Sequence, residues 1–239
     1  MLRHILDLPE IASRNFTATD SDFLDPYEQR LVRDLLPHFP EVEAQFVPAG
    51  ERERKVVLFC PYPAPAEDAV SVLKASVSGP IPAHRDILGS LLGLGIERAK
   101  IGDIVPNDAS YVVVKREIAN FLLVHWREIG NQRIQVEEVP LETLPIEEKK
   151  WRASSAVVQS PRLDAVVRAI TKLSRDEVKS RIAKGLVKVD FQPIRKTHWE
   201  IHGGELLSVR GFGRAKIGEE FRQTKKGKVR FEYGTLQES

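Results

Sequence analysis

The chain has 239 residues, of which 42% are hydrophobic and 29% charged, a composition typical of soluble globular proteins. No apolar run approaches the roughly 18 residues that a membrane-spanning helix needs. The N-terminus carries Asp7 and Pro9 where a secretory signal peptide would be apolar, so we expect none. The single cysteine, Cys60, excludes an internal disulfide framework and predicts a small buried hydrophobe in a cytosolic or similarly reducing compartment.

The charges are segregated along the chain. Residues 151–230 hold 19 Lys and Arg against 8 Asp and Glu, a net charge of +11. The whole chain has 36 against 34, which leaves 17 against 26 elsewhere, a net charge of −9. Because Lys and Arg release counterions when they contact phosphates, a basic end favours a polyanionic partner. On charge alone, a solvated surface is the alternative.

The predicted fold class is α+β with several domains. Residues 1–40 are predicted to be a helical N-terminal segment, in which a helix begins at Asp25 with Pro26 in its first turn. Residues 41–145 mix strands and helices and predict a small α/β middle domain of the ferredoxin or RNA-recognition type. Its strand candidates are 56–59, 69–77 (ambiguous between strand and helix), 111–114 and 134–139, its helix candidates are 84–96 and 117–128, and a charged, proline-containing linker follows at 140–150.

A third region, 155–230, is predicted to begin with two helices. The first has Ser160 as N-cap and Pro161 at its first position. The second begins with a capping box, Ser174 with Glu177, and ends at Gly185. Strands are predicted at 186–190 and 206–210.

Basic residues recur at helical spacing in this region. Arg175 and Lys179 are four apart and share a helix face, and the same spacing relates Arg168 and Lys172. The Ser174 cap leaves backbone N–H groups at a positive helix end, which favours phosphate. Such a surface would recognise RNA by shape and backbone. The predicted RNA-binding residues are Arg162, Arg168, Lys172, Ser174, Arg175, Lys179, Arg181, Lys184, Lys188, Lys196, Arg210 and Arg214.

Residues 160–217 resemble the S4 RNA-binding domain. The order and spacing of Arg162-Leu-Asp, Ser174-Arg, Gly204-Glu and Ser208-Val-Arg-Gly-Phe-Gly-Arg carry this resemblance. Two turns depart from the family pattern, since Asp190-Phe-Gln replaces the usual Asn-Gly and Gly204-Glu replaces Gly-Asp. The departures question the geometry of the hairpins more than RNA binding.

Most of the chain, about 20–217, resembles the YlmH-like family, a bacterial and plastid group with S4 domains. The matching residues are the run HRDILGSLLGLGIERAKIGDI from His84, together with Asp25-Pro-Tyr-Glu and Gly50-Glu-Arg-Glu-Arg. The resemblance implies a cytosolic, non-enzymatic RNA binder that docks on rRNA of the large ribosomal subunit in quality control of stalled nascent chains. The cyanobacterial and plastid branch carries a photosystem II label. His84 and Arg85 are either a hydrogen-bonded helix start or a second contact with RNA or tRNA.

Alternatives to this interpretation rest on weaker patterns. Arg210-Gly-Phe-Gly-Arg imitates an RNA-recognition motif but lacks two of its three rings, so a hairpin is predicted there. Arg162-Leu-Asp164 resembles the catalytic triplet of pseudouridine synthases, although we expect Asp164 to pair with a nearby Arg. A photosystem II assembly or mRNA-binding factor is a further alternative. No catalytic residues, metal site or cofactor are predicted, and a monomer is expected.

Overall fold

The structure is a computed structural model that describes residues 2–146 and 149–236. These residues divide into two compact units, the first reaching residue 146 and the second beginning at residue 149. Within the described ranges, no helix combines the length and apolar character needed to span a lipid bilayer.

The first unit opens with two helices and a three-stranded sheet. The helix predicted at Asp25 is confirmed, because Asp25 Oδ1 accepts from the Glu28 N–H at 3.0 Å and Glu28 Oε2 accepts from the Asp25 N–H at 2.8 Å. The predicted helical segment 1–40 also contains a short strand that was not predicted, because Thr19 and Asp20 pair with Phe59 and Leu58. The elements are α1 (Leu2–Asn15), β1 (Thr19–Asp20), α2 (Pro26–Leu35), β2 (Glu43–Val47) and β3 (Val56–Cys60), and the sheet order is β1-β3-β2.

A five-stranded sheet follows in the same unit, with every neighbouring pair of strands antiparallel and the order β5-β6-β4-β8-β7. The ambiguous segment 69–77 is a strand, and an unpredicted strand occupies 101–106. The elements are β4 (Val70–Val77), α3 (His84–Gly93), β5 (Ile101–Pro106), β6 (Ser110–Lys115), α4 (Arg116–His125), β7 (Glu128–Ile129) and β8 (Gln132–Val139).

Both faces of this sheet are buried. On one face, Leu73 and Val112 pack with residues of α3 and α4. On the other, Val72 and Val113 pack with Leu58 and its neighbours in β3. RNA-recognition modules stack bases on an open sheet face, and here the three-stranded layer covers that face.

The segment 50–54, which connects β2 to β3, is hydrogen-bonded to distant parts of the first unit. The Arg54 main-chain N–H donates to Asp103 Oδ1 at 2.9 Å, and the Arg52 guanidinium donates to the Leu144 carbonyl at 2.7 Å. This part of the family resemblance therefore has a folding role.

The second unit is a six-stranded antiparallel sheet, ordered β11-β10-β12-β13-β14-β9, whose buried face packs against two helices. The predicted apolar stripe of the first helix is confirmed, since Leu163, Val166, Val167 and Ile170 are all buried. The elements are β9 (Trp151–Val158), α5 (Leu163–Thr171), α6 (Arg175–Ala183), β10 (Val187–Val189), β11 (Gln192–Pro193), β12 (Leu206–Val209), β13 (Gly213–Gln223) and β14 (Val229–Leu236).

The predicted start of α5 at Ser160 and Pro161 was wrong. The cap is Arg162, in an extended conformation, and the helix begins at Leu163. The Leu163 N–H donates to the Trp199 carbonyl at 2.8 Å. The first residue of the helix is therefore bonded to a segment 36 positions further along the chain, which local capping patterns cannot indicate.

The turn questioned by the replacement of Asn-Gly keeps a tight hairpin. Asp190 and Phe191 have φ values of 44° and 67°, and Val189 pairs with Gln192 on either side of them. Two successive left-handed residues are what a two-residue type I′ turn requires. The Asp190 carboxylate also accepts from the Leu206 N–H at 2.8 Å, which ties the turn to β12.

Candidate nucleic-acid interface

Helix α6 presents the predicted cations within one helical frame. Ser174 Oγ accepts from the Glu177 N–H at 3.2 Å, and Gly185, with a φ of 70°, follows the helix end. Arg175 and Lys179 are exposed and lie four residues apart on the same helix. The pair can therefore contact one polyanion together.

Arg168 and Lys172 do not share a helix face, so that prediction was wrong. Helix α5 ends at Thr171, and Lys172 has a φ of 61° as its left-handed C-cap. Both cations are exposed. Because the helix ends one residue before Lys172, the spacing of four does not place the two side chains on one helix face.

Arg181 is engaged in structural bonds. Its Nη2 lies 2.9 Å from Glu177 Oε1, and its Nη1 donates to the main-chain carbonyl of Arg210. The guanidinium therefore joins α6 to the turn after β12. Its predicted contact with RNA stays a prediction.

Three polar residues form a row across neighbouring strands of the second sheet. Lys188 pairs with Ser208, and Ser208 pairs with Arg214. Directly opposed residues have Cβ atoms about 4.5–5.5 Å apart. Their neighbours Val187 and Val209 point into the core, so strand alternation places the row on the face away from the helices.

A groove of about 590 Å³ adjoins this row. Arg210 and Arg214 contribute its positive charge, and Phe212 lies between them in sequence. The Arg214 guanidinium lies over the Phe191 ring, 5.4 Å from its centroid. Three of the predicted cations, Lys188, Arg210 and Arg214, thus lie together at this groove.

The remaining predicted residues lie near the start of α5 or at the end of α6. Arg162 Nη2 lies 3.0 Å from Asp164 Oδ2, and its Nε lies 3.1 Å from Oδ1. This two-point ion pair confirms the expected partner for Asp164. Lys184 and Lys196 are exposed.

A basic hairpin tip between β13 and β14 was missed as a candidate site. Lys225, Lys226 and Lys228 are exposed, and the Thr224 N–H closes the tip by donating to the Lys228 carbonyl at 2.7 Å. The alternating sequences on either side of Lys-Lys-Gly-Lys were the signal that could have identified it.

The first unit contains fewer Lys and Arg residues than the second unit. His84 and Arg85 begin α3 and are exposed, and Arg85 Nε lies 3.6 Å from Asp86 Oδ1. Residues 82–143 contain 7 Lys and Arg against 9 Asp and Glu. Among the residues that the structure describes, no group of three or more His, Cys, Asp and Glu could hold a metal ion.

Comparisons with known proteins match both parts of the chain. A family model described as "Putative RNA-binding domain in YlmH" matches residues 82–143. The "Ribosome-associated protein quality control protein P2" of Bacillus subtilis (strain 168) is 31% identical over 233 residues, which cover 94% of this chain and 90% of that protein. The solved structure of "Cell division protein ylmH from Streptococcus pneumoniae" superposes with a TM-score of 0.53 at 18% identity, covers 60% of this chain and 92% of its own, and shows a likeness of fold.

Proposed function

This chain belongs to the YlmH-like family, and on that premise we propose that it is a non-enzymatic factor that docks on structured RNA. The RNA is rRNA of the large ribosomal subunit or tRNA bound there. The setting is ribosome-associated quality control or translation in the cytoplasm. The name of the Bacillus subtilis relative supports the ribosomal setting.

The distribution of cations carries the proposal. The second unit exposes Arg175 and Lys179 on α6, and the half-buried Lys188 and Arg214 lie in one row on its sheet. Residues 151–230 have a net charge of +11, whereas residues 82–143 have a net charge of −2. Phosphate contacts supply most of the sequence-independent affinity for RNA, so the second unit is the main anchor.

The proposed anchor is an S4-like unit, and two features of the second unit support this. Two short helices precede strands β10, β11, β12 and β13 of the antiparallel sheet, and a tight turn at Asp190 and Phe191 occupies the place where the S4 pattern has Asn-Gly.

The proposed middle domain is ferredoxin-like. Its support is the chain order β4-α3-β5-β6-α4-β8 with the sheet order β5-β6-β4-β8, which is the split βαβ arrangement. Because β3 covers one face of that sheet, this domain would contact RNA through helix ends such as His84 and Arg85.

Co-sedimentation with purified ribosomal particles tests the proposal. We expect the wild-type protein to pellet with the particles and the double variant Arg175→Glu/Lys179→Glu to remain largely in the supernatant. The matched control is Arg14→Glu/Arg30→Glu, which makes the same change in charge at exposed positions of the first unit. Equal pelleting of both double variants and the wild type would refute the proposed anchor.

A further inference from the structure

We propose that the groove beside the Lys188 row binds an unpaired nucleotide, whose base stacks on Phe212 while its phosphates contact the surrounding cations. The inference rests on the proposed function and deepens it. The cations of the helices alone would bind any phosphate backbone. The groove would in addition select RNA that has a base outside a duplex.

Phe212 is an exposed aromatic side chain in a cationic setting. It is 39% exposed and lines the groove together with Arg210 and Arg214. A Phe ring offers a base a flat apolar face, and Arg and Lys nearby neutralise the flanking phosphates. Isolated exposed hydrophobics are common on protein surfaces, so the neighbouring cations distinguish this ring.

The turn that carries Phe212 is fixed before any ligand binds. The Phe212 N–H donates to the Val209 carbonyl at 3.0 Å, and Arg181 binds the Arg210 carbonyl from α6. Gly211 has a φ of 83°, and a Cβ there would lie 3.3 Å from Arg181 Nη1. A rigid turn loses little entropy when a base stacks on its ring.

The phosphate-binding side of the groove is also held in place. Lys188 and Arg214 flank Ser208 across three hydrogen-bonded strands, and the Arg214 guanidinium rests over the Phe191 ring. The Ser208 hydroxyl adds a hydrogen-bonding group between two cations. Charge, hydroxyl and aromatic ring therefore converge on one groove.

The size of the groove agrees with a nucleotide. Its volume of about 590 Å³ lies within the roughly 300–1,000 Å³ of typical small-molecule sites. In an A-form helix the bases are stacked on each other and their edges are hard to reach, whereas unstacked bases in loops and bulges can lie on aromatic side chains. The geometry therefore points to a loop, bulge or strand end of a structured RNA.

Fluorescence of a 2-aminopurine base in a short single-stranded RNA tests the inference. Stacking of the probe on Phe212 should quench its fluorescence when the full-length protein binds. Phe212→Leu should abolish the quenching and weaken binding about tenfold. Phe212→Trp should quench the probe and bind the RNA like the wild type. Because no phosphate contact is lost, the salt dependence of binding should be the same for Phe212→Leu and the wild type.

The matched control is Phe121→Leu, which removes a ring of similar exposure, 42%, from the first unit. It should bind and quench like the wild type, and urea unfolding of each variant verifies its fold. If Phe212→Leu quenches like the wild type while Arg175→Glu/Lys179→Glu loses binding, the stacking inference is overturned and the proposed function stands. If the wild-type protein binds ribosomal particles but not the probe, the stacking inference alone is overturned, and if it binds neither, both are overturned.

Discussion

Arg181 of α6 donates a hydrogen bond to the main-chain carbonyl of Arg210, 29 residues further along the chain, and so ties the helix to the turn at the groove. The same guanidinium pairs with Glu177 at 2.9 Å. A planar guanidinium can serve two acceptors in fixed directions, which the single ammonium of lysine reproduces poorly.

Arg181→Lys should therefore loosen the turn without changing the net charge. We expect a loss of about 1–2 kcal/mol in the free energy of unfolding, because a carbonyl and a carboxylate lose a charged donor. Urea denaturation measures this loss, and Arg175→Lys, an exposed substitution on the same helix, should cost less than about 0.5 kcal/mol. Equal stabilities of the two variants would contradict the bridging role.

The turn at Phe191 should respond to the shape of its side chain. A φ of 67° is disfavoured for residues with a Cβ and most of all for β-branched ones. We expect Phe191→Ile to lower the free energy of unfolding by about 1–2 kcal/mol. Phe191→Gly should remain within about 1 kcal/mol of the wild type, because relief of strain offsets the lost contact with Arg214. The opposite order of stabilities in urea would show that the turn is not left-handed at this residue.

Lys115 should anchor β1 to the five-stranded sheet. Its side chain is 4% exposed, pairs with Asp20, which is 32% exposed, and donates to the Ser21 carbonyl at 2.8 Å. Lys115→Met leaves the carboxylate without its cation and should cost about 2–3 kcal/mol, less than a fully buried pair because water reaches Asp20.

The double variant Lys115→Met/Asp20→Asn tests that explanation by removing both charges. It should be more stable to urea than Lys115→Met alone, since no unpaired carboxylate remains. Additive losses would mean that the two residues do not interact.

The thiol of Cys60 should be unreactive in the folded protein. It is buried in the core, and burial raises its pKa, with further contributions from Glu43 and Asp68. The raised pKa favours the protonated thiol in the folded state, so its contribution to stability is complete below the unfolded pKa of about 8.5 and is lost as the pH rises through the folded pKa.

Two measurements follow for Cys60. Labelling by a thiol reagent at pH 8 should be at least about tenfold slower than in urea-unfolded protein, since each 1.4 kcal/mol of opening free energy is a factor of ten. The free energy of unfolding should fall less between pH 8 and 10 in Cys60→Ala than in the wild type. Rapid labelling of the native protein would contradict the burial of this residue.

Features encoded by neighbouring residues were predictable from the sequence. The helix start at Asp25, the buried stripe that begins at Leu163 and the stop at Gly185 each depend on residues within a few positions. The lone Cys60 was also predicted as a buried hydrophobe, and the core confirms this. Such signals are local because helix caps and amphipathic faces repeat over one or two turns.

Features that depend on distant partners were not predictable. The start of α5 depends on a hydrogen bond to the carbonyl of Trp199, and strand β1 exists because Thr19 pairs with Phe59. The hydrogen bond from Arg181 to the Arg210 carbonyl joins residues 29 positions apart, which no local pattern indicates. The predicted domain limits 1–40, 41–145 and 155–230, and the assignment of the RNA contacts, stay predictions.

The salt dependence of binding to purified ribosomal particles and to tRNA shows whether phosphate contacts anchor the protein. If about four phosphates are neutralised, log affinity should fall with log salt concentration at a slope of about −3 to −4. Arg175→Glu/Lys179→Glu should bind more weakly at low salt and give a shallower slope. A wild-type protein that binds neither target in low-salt buffer, or binds with a slope near zero, would contradict an anchor made of phosphate contacts.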